Sequence, residues 1–178
     1  MKKYIIKIII VCGFIISHIA VQAQFIKAEL KVSGLTCSMC SFATQKQLQT
    51  LTFIDSIGTD LNHTTFILSF KKDSIVDPEL IKKKVEDAGF SVASLVFTFH
   101  FDNLKIENNY QMGYQNSLYT FMNVKPRTLN GNAKIKILDK GFVTNKEYKK
   151  YLKDIAAINR EQASKTQKEN SIYHITIL

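Results

Sequence analysis

The stretch Gly34-Leu35-Thr36-Cys37-Ser38-Met39-Cys40 places two thiols three residues apart, where a strand-like pattern gives way to a helix-like one. Before it, Ile26, Ala28, Leu30 and Val32 alternate with Lys27, Glu29, Lys31 and Ser33. That period of two is the mark of a half-buried strand. After it, Phe42, Ala43, Lys46, Gln47 and Leu48 contain no helix breaker, and Gly34 has the backbone freedom for a sharp turn between the two. The dithiol is therefore expected on a strand-to-helix loop, with Cys40 at or inside the first helical turn. Unpaired N–H groups and the positive dipole end of a helix favour a thiolate, the form that binds soft metals.

A C-x-x-C in this position has four readings. Two thiolates can converge on one soft ion across a loop and helix start. Zinc normally takes four ligands, and no second C-x-x-C lies nearby; His63, His100 and His174 are scattered through the chain. A thioredoxin-like redox pair uses the same spacing at a helix start. The fourth reading is structural, a plain disulfide or a pair of buried thiols.

At the amino terminus, Met1-Lys2-Lys3 precedes Ile5–Ile19, which is apolar apart from Lys7, Ser17 and His18, and Ala20-Val21-Gln22-Ala23 follows. A positive start, a short apolar core and a small terminal residue read as a secretory signal peptide cut after Ala23. The run is too short and interrupted for a span of ~20 apolar residues. Val11 before Cys12 argues against a lipoprotein. The expectation is an exported protein, periplasmic or extracellular. Cys37 and Cys40 are then its remaining cysteines, in a compartment that favours disulfides.

About 155 residues follow the signal, enough for one ordinary domain or two small ones. Residues 24–98 carry eight Lys and eight acidic residues, whereas 99–178 carry thirteen Lys or Arg against seven acidic residues. The whole positive excess of the mature chain thus lies in the second half. No basic run is interleaved with aromatics in a base-stacking pattern, so nucleic acid is not expected. Acidic partners, an anionic membrane surface or a merely solvated face remain.

Further along, Leu48 and Leu51 close the first helical pattern. Phe66, Leu68 and Phe70 alternate as a strand, and Asp77-Pro78-Glu79 starts a helix with Asp as N-cap and Pro in the first turn. Leu80, Ile81, Val85 and Ala88 form its apolar stripe, Gly89 ends it, and Phe90–Phe101 is strand-like again. The order β-α-β-β-α-β predicts a ferredoxin-like α+β sandwich.

These residues resemble the heavy-metal-associated domain family, which includes copper chaperones, amino-terminal modules of copper-transporting ATPases and the periplasmic mercury-binding protein. The resemblance covers residues ~25–98. It rests on Gly34–Cys40 against the family's G-M-T-C-x-x-C and on Val85-Glu86-Asp87-Ala88-Gly89-Phe90 against I-E-x-A-G-[FY]. It implies that Cys37 and Cys40 are the metal ligands, that Thr36 shapes the loop and that Phe90 lies beneath it. Leu35 replaces the usual Met, which commonly packs inward, and Phe53 stands where many members have Gly. Met39 is expected to supply no bond. Lys82, Lys83 and Lys84 either help dock an acidic partner or form a solvated face. The implied cargo is Cu(I), with Hg(II) or Zn(II) as alternatives, and the implied partner is a metal-transporting or metal-accepting protein. Membrane contact beyond the signal is not expected. With no general base, oriented nucleophile or phosphate loop in the sequence, a carrier or sensor is expected and not an enzyme. The alternatives are an interaction module with oxidised cysteines and a dithiol–disulfide redox protein.

In the second half, Leu104–Asn116 reads as irregular, Leu118–Val124 as a strand, Leu129–Asn132 as a turn and Ala133–Leu138 as a strand. Thr144-Asn145-Lys146-Glu147 starts a helix with Tyr148, Tyr151, Leu152 and Ile155 on its apolar side. Glu161–Asn170 is polar and uncapped, and Ile172–Leu178 closes as a strand. Met112, Met122, His100 and His174 are expected in core or surface positions in preference to metal ligation. The organisation expected is a signal peptide at 1–23, a heavy-metal-associated domain at 24–98, and a small, basic, β-rich, OB-like domain of unknown role at 99–178.

Overall fold

The computed structural model describes residues 24–60, 63–162 and 171–178. The expected signal peptide, and most of the polar stretch before the last strand, lie outside the described residues. Eight strands and three helices follow in order: β1 (Gln24–Ser33), α1 (Ser38–Leu48), β2 (Ile54–Asp60), β3 (Thr65–Phe70), α2 (Pro78–Asp87), β4 (Ser91–Ile106), β5 (Gln111–Tyr114), β6 (Ser117–Phe121), β7 (Arg127–Ile137), α3 (Asn145–Gln162) and β8 (Ser171–Ile177). They build one sheet in the order β2-β3-β1-β4-β7-β8-β6-β5.

The first six elements have the expected β-α-β-β-α-β order, and their four strands pair antiparallel as β2-β3-β1-β4. Alternation in β1 buries Ala28, Leu30 and Val32. A bulge between Phe25 and Lys27 shifts the phase, so that Phe25 joins the same core. At the position where many family members carry Gly, Phe53 is buried and β2 carries a bulge between Ile54 and Ser56.

Local chemistry sets the ends of α2. Asp77 Oδ1 accepts hydrogen bonds from the N–H groups of Glu79 at 2.8 Å and Leu80 at 3.4 Å, satisfying two orphan donors. At the other end Gly89, at φ +86°, donates to Glu86 O while Phe90 N–H reaches back to Val85 O. That pair of bonds is a Schellman motif, whose left-handed residue favours Gly.

The second half departs from the expected OB-like domain. Its strands form no closed barrel among the described residues; they extend the first sheet. The cause is the length of β4, whose 16 residues pass through the expected boundary at 98/99 and offer their outer edge to β7 from Val96 to Ile106. Leu129–Asn132, expected as a turn, lies within β7. Phe101 pairs with Gly131 and Leu104 with Leu129, so Asp102 and Asn103 bulge outward on β4 and Asn130-Gly131 answers them without reversing the chain. Gly131 sits at φ +80° and Asn103 at φ +47°, conformations that Gly and Asn tolerate. Part of Leu104–Asn116, expected as irregular, belongs to β4 and β5 for the same reason. β6 pairs parallel to β8, and β8 antiparallel to β7.

One apolar core runs the length of the sheet, from Leu48, Ile81 and Leu30 through Phe25, Phe97 and Phe99 to Tyr119, Ile135, Phe142 and Tyr173. Phe25 joins its two ends, with ring centroids 4.3 Å from Phe97 and 5.9 Å from Tyr119. A smaller cluster lies on the other face. Met122 and Leu138, each next in sequence to a residue of the main core, point the opposite way and meet Ile155 and Ile158 of α3. Tyr148 and Tyr151 pack against this cluster, and Glu147 of α3 takes Lys136 Nζ at 2.6 Å. Leu152, expected on the apolar side, is exposed.

Candidate metal centre

Strand β1 ends at Ser33, and the chain turns at Gly34 in a left-handed conformation, φ +88°. A Cβ on Gly34 would stand 3.5 Å from Phe90 Cδ1, so the Phe90 ring lies against the start of the loop. Leu35 packs against the core in the role expected of the Met it replaces, while Thr36 is exposed.

Cys37 is the N-cap of α1. Its backbone is extended, its sulfur accepts the Cys40 N–H at 3.2 Å, and its carbonyl accepts Ser41 N–H at 3.2 Å. Cys40 lies in the first turn, with the two Cα atoms 5.3 Å apart and a disulfide joining the sulfurs. Cys37 is exposed and Cys40 half-buried, so a donor or acceptor can approach from solvent. No carboxylate occupies the first turn of α1. The dipole end and free N–H groups therefore act on the sulfurs without a competing negative charge.

The other donors weighed from the sequence stay away from this loop. His63 bonds to Asp60 and His100 to Asn132, and His174 is buried against Asp139. Met112 and Met122 are buried in the core clusters. Met39, in the first turn of α1, is 71% exposed. Among the described residues no group of three or more His, Cys, Asp or Glu gathers where it could hold an ion. Reduced, the centre is a two-sulfur site. Lys82 pairs with Glu79 and lies 4.8 Å from the Phe142 ring centroid, while Lys83 pairs with Asp87 at 2.9 Å. Lys84 lies 4.0 Å from the other oxygen of Asp87, so all three helix lysines are engaged within the molecule.

Two features beside the site were missed in the sequence. Phe42, read there only as part of a breaker-free helix, is 53% exposed with Lys46 Nζ 5.3 Å from its ring centre. Inward, α1 instead turns Ser41, Thr44 and Leu48. Thr44 can be buried because its hydroxyl donates to Cys40 O at 3.1 Å, leaving no unpaired polar group. A four-residue spacing of Cys40 and Thr44 was the one available hint.

Residues 29–91 match the family model described as the heavy-metal-associated domain. Among solved structures, the yeast copper transporter domain CCC2A, determined in its apo and Cu(I)-loaded states, is similar at 27% identity and a TM-score of 0.34. That match covers 38% of this chain and 90% of the other. The N-terminal domain of ZntA in its apo form is similar at 16% identity and a TM-score of 0.34, covering 39% and 90%. No curated protein sequence matches the chain.

Proposed function

We propose that the heavy-metal-associated domain at residues 29–91 takes a soft metal ion as cargo between the sulfurs of Cys37 and Cys40, with Cu(I) as the preferred ion, in an exported carrier that has no catalytic activity. The observation that carries this reading is the pair of sulfurs at the amino end of α1, open to solvent at Cys37 and half-buried at Cys40, inside a segment matching a metal-binding family. Cu(I) is satisfied by two thiolates in near-linear geometry, and Hg(II) suits the same arrangement, whereas Zn(II) would lack two ligands. An open outer side lets a thiolate of a metal-transporting or metal-accepting protein enter as a third ligand, so the ion passes by exchange and is not released to water.

The disulfide sets a condition on this chemistry. Two electrons and two protons convert it to two thiols, and binding Cu(I) then releases the two protons as both sulfurs become thiolates. The oxidised form holds no metal. The same disulfide favours a second reading, in which the domain is an interaction module whose cysteines stay oxidised.

Anaerobic titration of the reduced protein with Cu(I) separates the two. One ion bound per chain with submicromolar affinity, lost in Cys37→Ser and in Cys40→Ser, is the expected result. Binding no tighter than that of the double variant would leave the interaction module. A third outcome, catalysed reduction of insulin disulfides by the reduced protein, would make it a redox enzyme instead.

A further inference from the structure

Helix α3 carries a feature that the metal chemistry does not use. Lys146, Lys149, Lys150, Lys153 and Arg160 are all exposed. At 100° per residue they fall within an arc of roughly 100°, and at 1.5 Å per residue they span roughly 21 Å. None of the four lysines is ion-paired with a described carboxylate. The acidic residues of the helix up to Arg160 lie off this arc. Glu147 turns to Lys136 on the sheet, and Asp154 sits on the flank. The inward side of α3 is fixed by Ile155 and Ile158 against Met122 and Leu138, so the basic stripe is held facing solvent.

We propose that this stripe docks the protein on a membrane surface rich in anionic phospholipid. The charge is carried mainly by lysines, which act as hydrated point charges and do not demand the bidentate geometry of a specific site. The stripe is straight and convex and lies on one line, the shape that meets a plane of headgroups. A protein partner would want an apolar centre to desolvate, and the large apolar side chain here is Leu152, at the margin of the stripe. A nucleic acid reader would interleave aromatic residues with its cations, but Tyr148 and Tyr151 are packed inward. The expected signal segment, Lys2 to Ile19, brings the chain to a membrane during export. An anionic lipid surface is therefore one that the chain meets. The proposal departs from the expectation of no membrane contact beyond that segment, and it does not depend on metal binding.

The test is co-sedimentation of the full chain with vesicles of neutral phosphatidylcholine and with vesicles that also contain phosphatidylglycerol. Binding to the anionic vesicles should exceed binding to the neutral ones by at least about tenfold, the attraction expected of several lysines near a charged surface. It should collapse at about 0.5 M salt, where the screening length falls to a few ångström. Changing all four lysines to Gln should bring anionic binding down to the neutral level, while changing them all to Arg should leave it intact. The neutral vesicles account for any contribution of the apolar segment in every arm. Equal binding to both vesicle types, unchanged binding by the Gln variant, or displacement from anionic vesicles by duplex DNA at lower charge concentration than the lipid would overturn the proposal.

Discussion

The backbone N–H of Cys40 donates a hydrogen bond to the sulfur of Cys37 across 3.2 Å, so one cysteine caps the helix whose first turn holds the other. This ties helix stability to the metal loop. In reducing buffer, Cys37→Ala should destabilise the protein by roughly 1 kcal/mol relative to Cys37→Ser, because serine can still accept the capping bond and alanine cannot. Both changes should abolish Cu(I) binding. Urea denaturation with reductant present reads the difference. Equal midpoints for the two variants would mean that the sulfur contributes nothing as a cap.

In the proposed site, protons and metal compete for the same two sulfurs. Below the thiol pKa each bound ion displaces two protons, so affinity must fall as pH falls, by up to about a hundredfold per pH unit. Competition titrations with a Cu(I) chelator at about pH 7 and about pH 6 measure the slope. A pH-independent affinity would point to ligands other than thiolates.

Alkaline pH should unfold the protein from its centre. Burial pushes the Tyr119 and Tyr173 hydroxyls well above the ordinary tyrosine range, with the charge of Tyr173 adding to the shift of Tyr119 and those of Glu79 and Asp77 to the shift of Tyr173. Unfolded tyrosine loses its proton near pH 10, so above that point the unfolded chain binds fewer protons than the native one. Stability is then present below about pH 10 and declines as pH rises further. Changing both residues to Phe should flatten the decline, measured as denaturation midpoints across the range. An unaltered decline would place the alkaline sensitivity elsewhere.

The two halves of the chain should unfold together. Phe142 is buried against Tyr173, with ring centroids 5.8 Å apart, and Lys82 of α2 reaches across to it from the amino-terminal half. Phe142→Ala should cost about 3–5 kcal/mol and lower the stability of both halves equally. Near-ultraviolet and far-ultraviolet dichroism should therefore show one coincident transition before and after the change. Two separated transitions would show that the shared core does not couple them.

The amino-terminal half was legible because its signals are local. Asp77-Pro78 starts a helix, Gly89-Phe90 stops it, and the Phe66–Phe70 alternation needs no knowledge of what lies beside it. The second half was legible in its helix start at Thr144, whose hydroxyl accepts the Glu147 N–H, in its strands β6 and β8, and in the Ala133–Ile137 part of β7. The run of β4 past Phe101 and the continuation of β7 through Asn130-Gly131 depend on each other. Either alone reads as a loop or turn, and only long-range pairing makes both strand. Membership of one sheet is likewise a property of β4's free edge, which no residue in β4 announces. At the site itself, the cysteines, Gly34 and Phe90 were visible in motif spacing. The exposure of Phe42 was not, because apolar periodicity predicts burial and α1 buries Thr44 through a bond internal to the helix.

A last prediction concerns a polar pair inside the second half. His174 is 2% exposed, its backbone N–H donates to Asp139 Oδ2 at 2.7 Å, and its Nδ1 lies 2.7 Å from Asp139 Oδ1. An ionised carboxylate can only accept, so the imidazole carries its proton on Nδ1, and Nε2 is left buried without a partner among the described residues. Asp139 thus satisfies two donors of one residue, while Leu138 N–H binds His174 O at 2.8 Å on the same corner. Asp139→Ala leaves both donors unpaired and should cost about 2 kcal/mol or more. Asp139→Asn keeps one acceptor oxygen but turns an amide donor toward the other N–H, so its cost should fall between wild type and Ala. Urea midpoints at neutral pH rank the three proteins. If Ala were as stable as wild type, the carboxylate would not be what holds His174 in place.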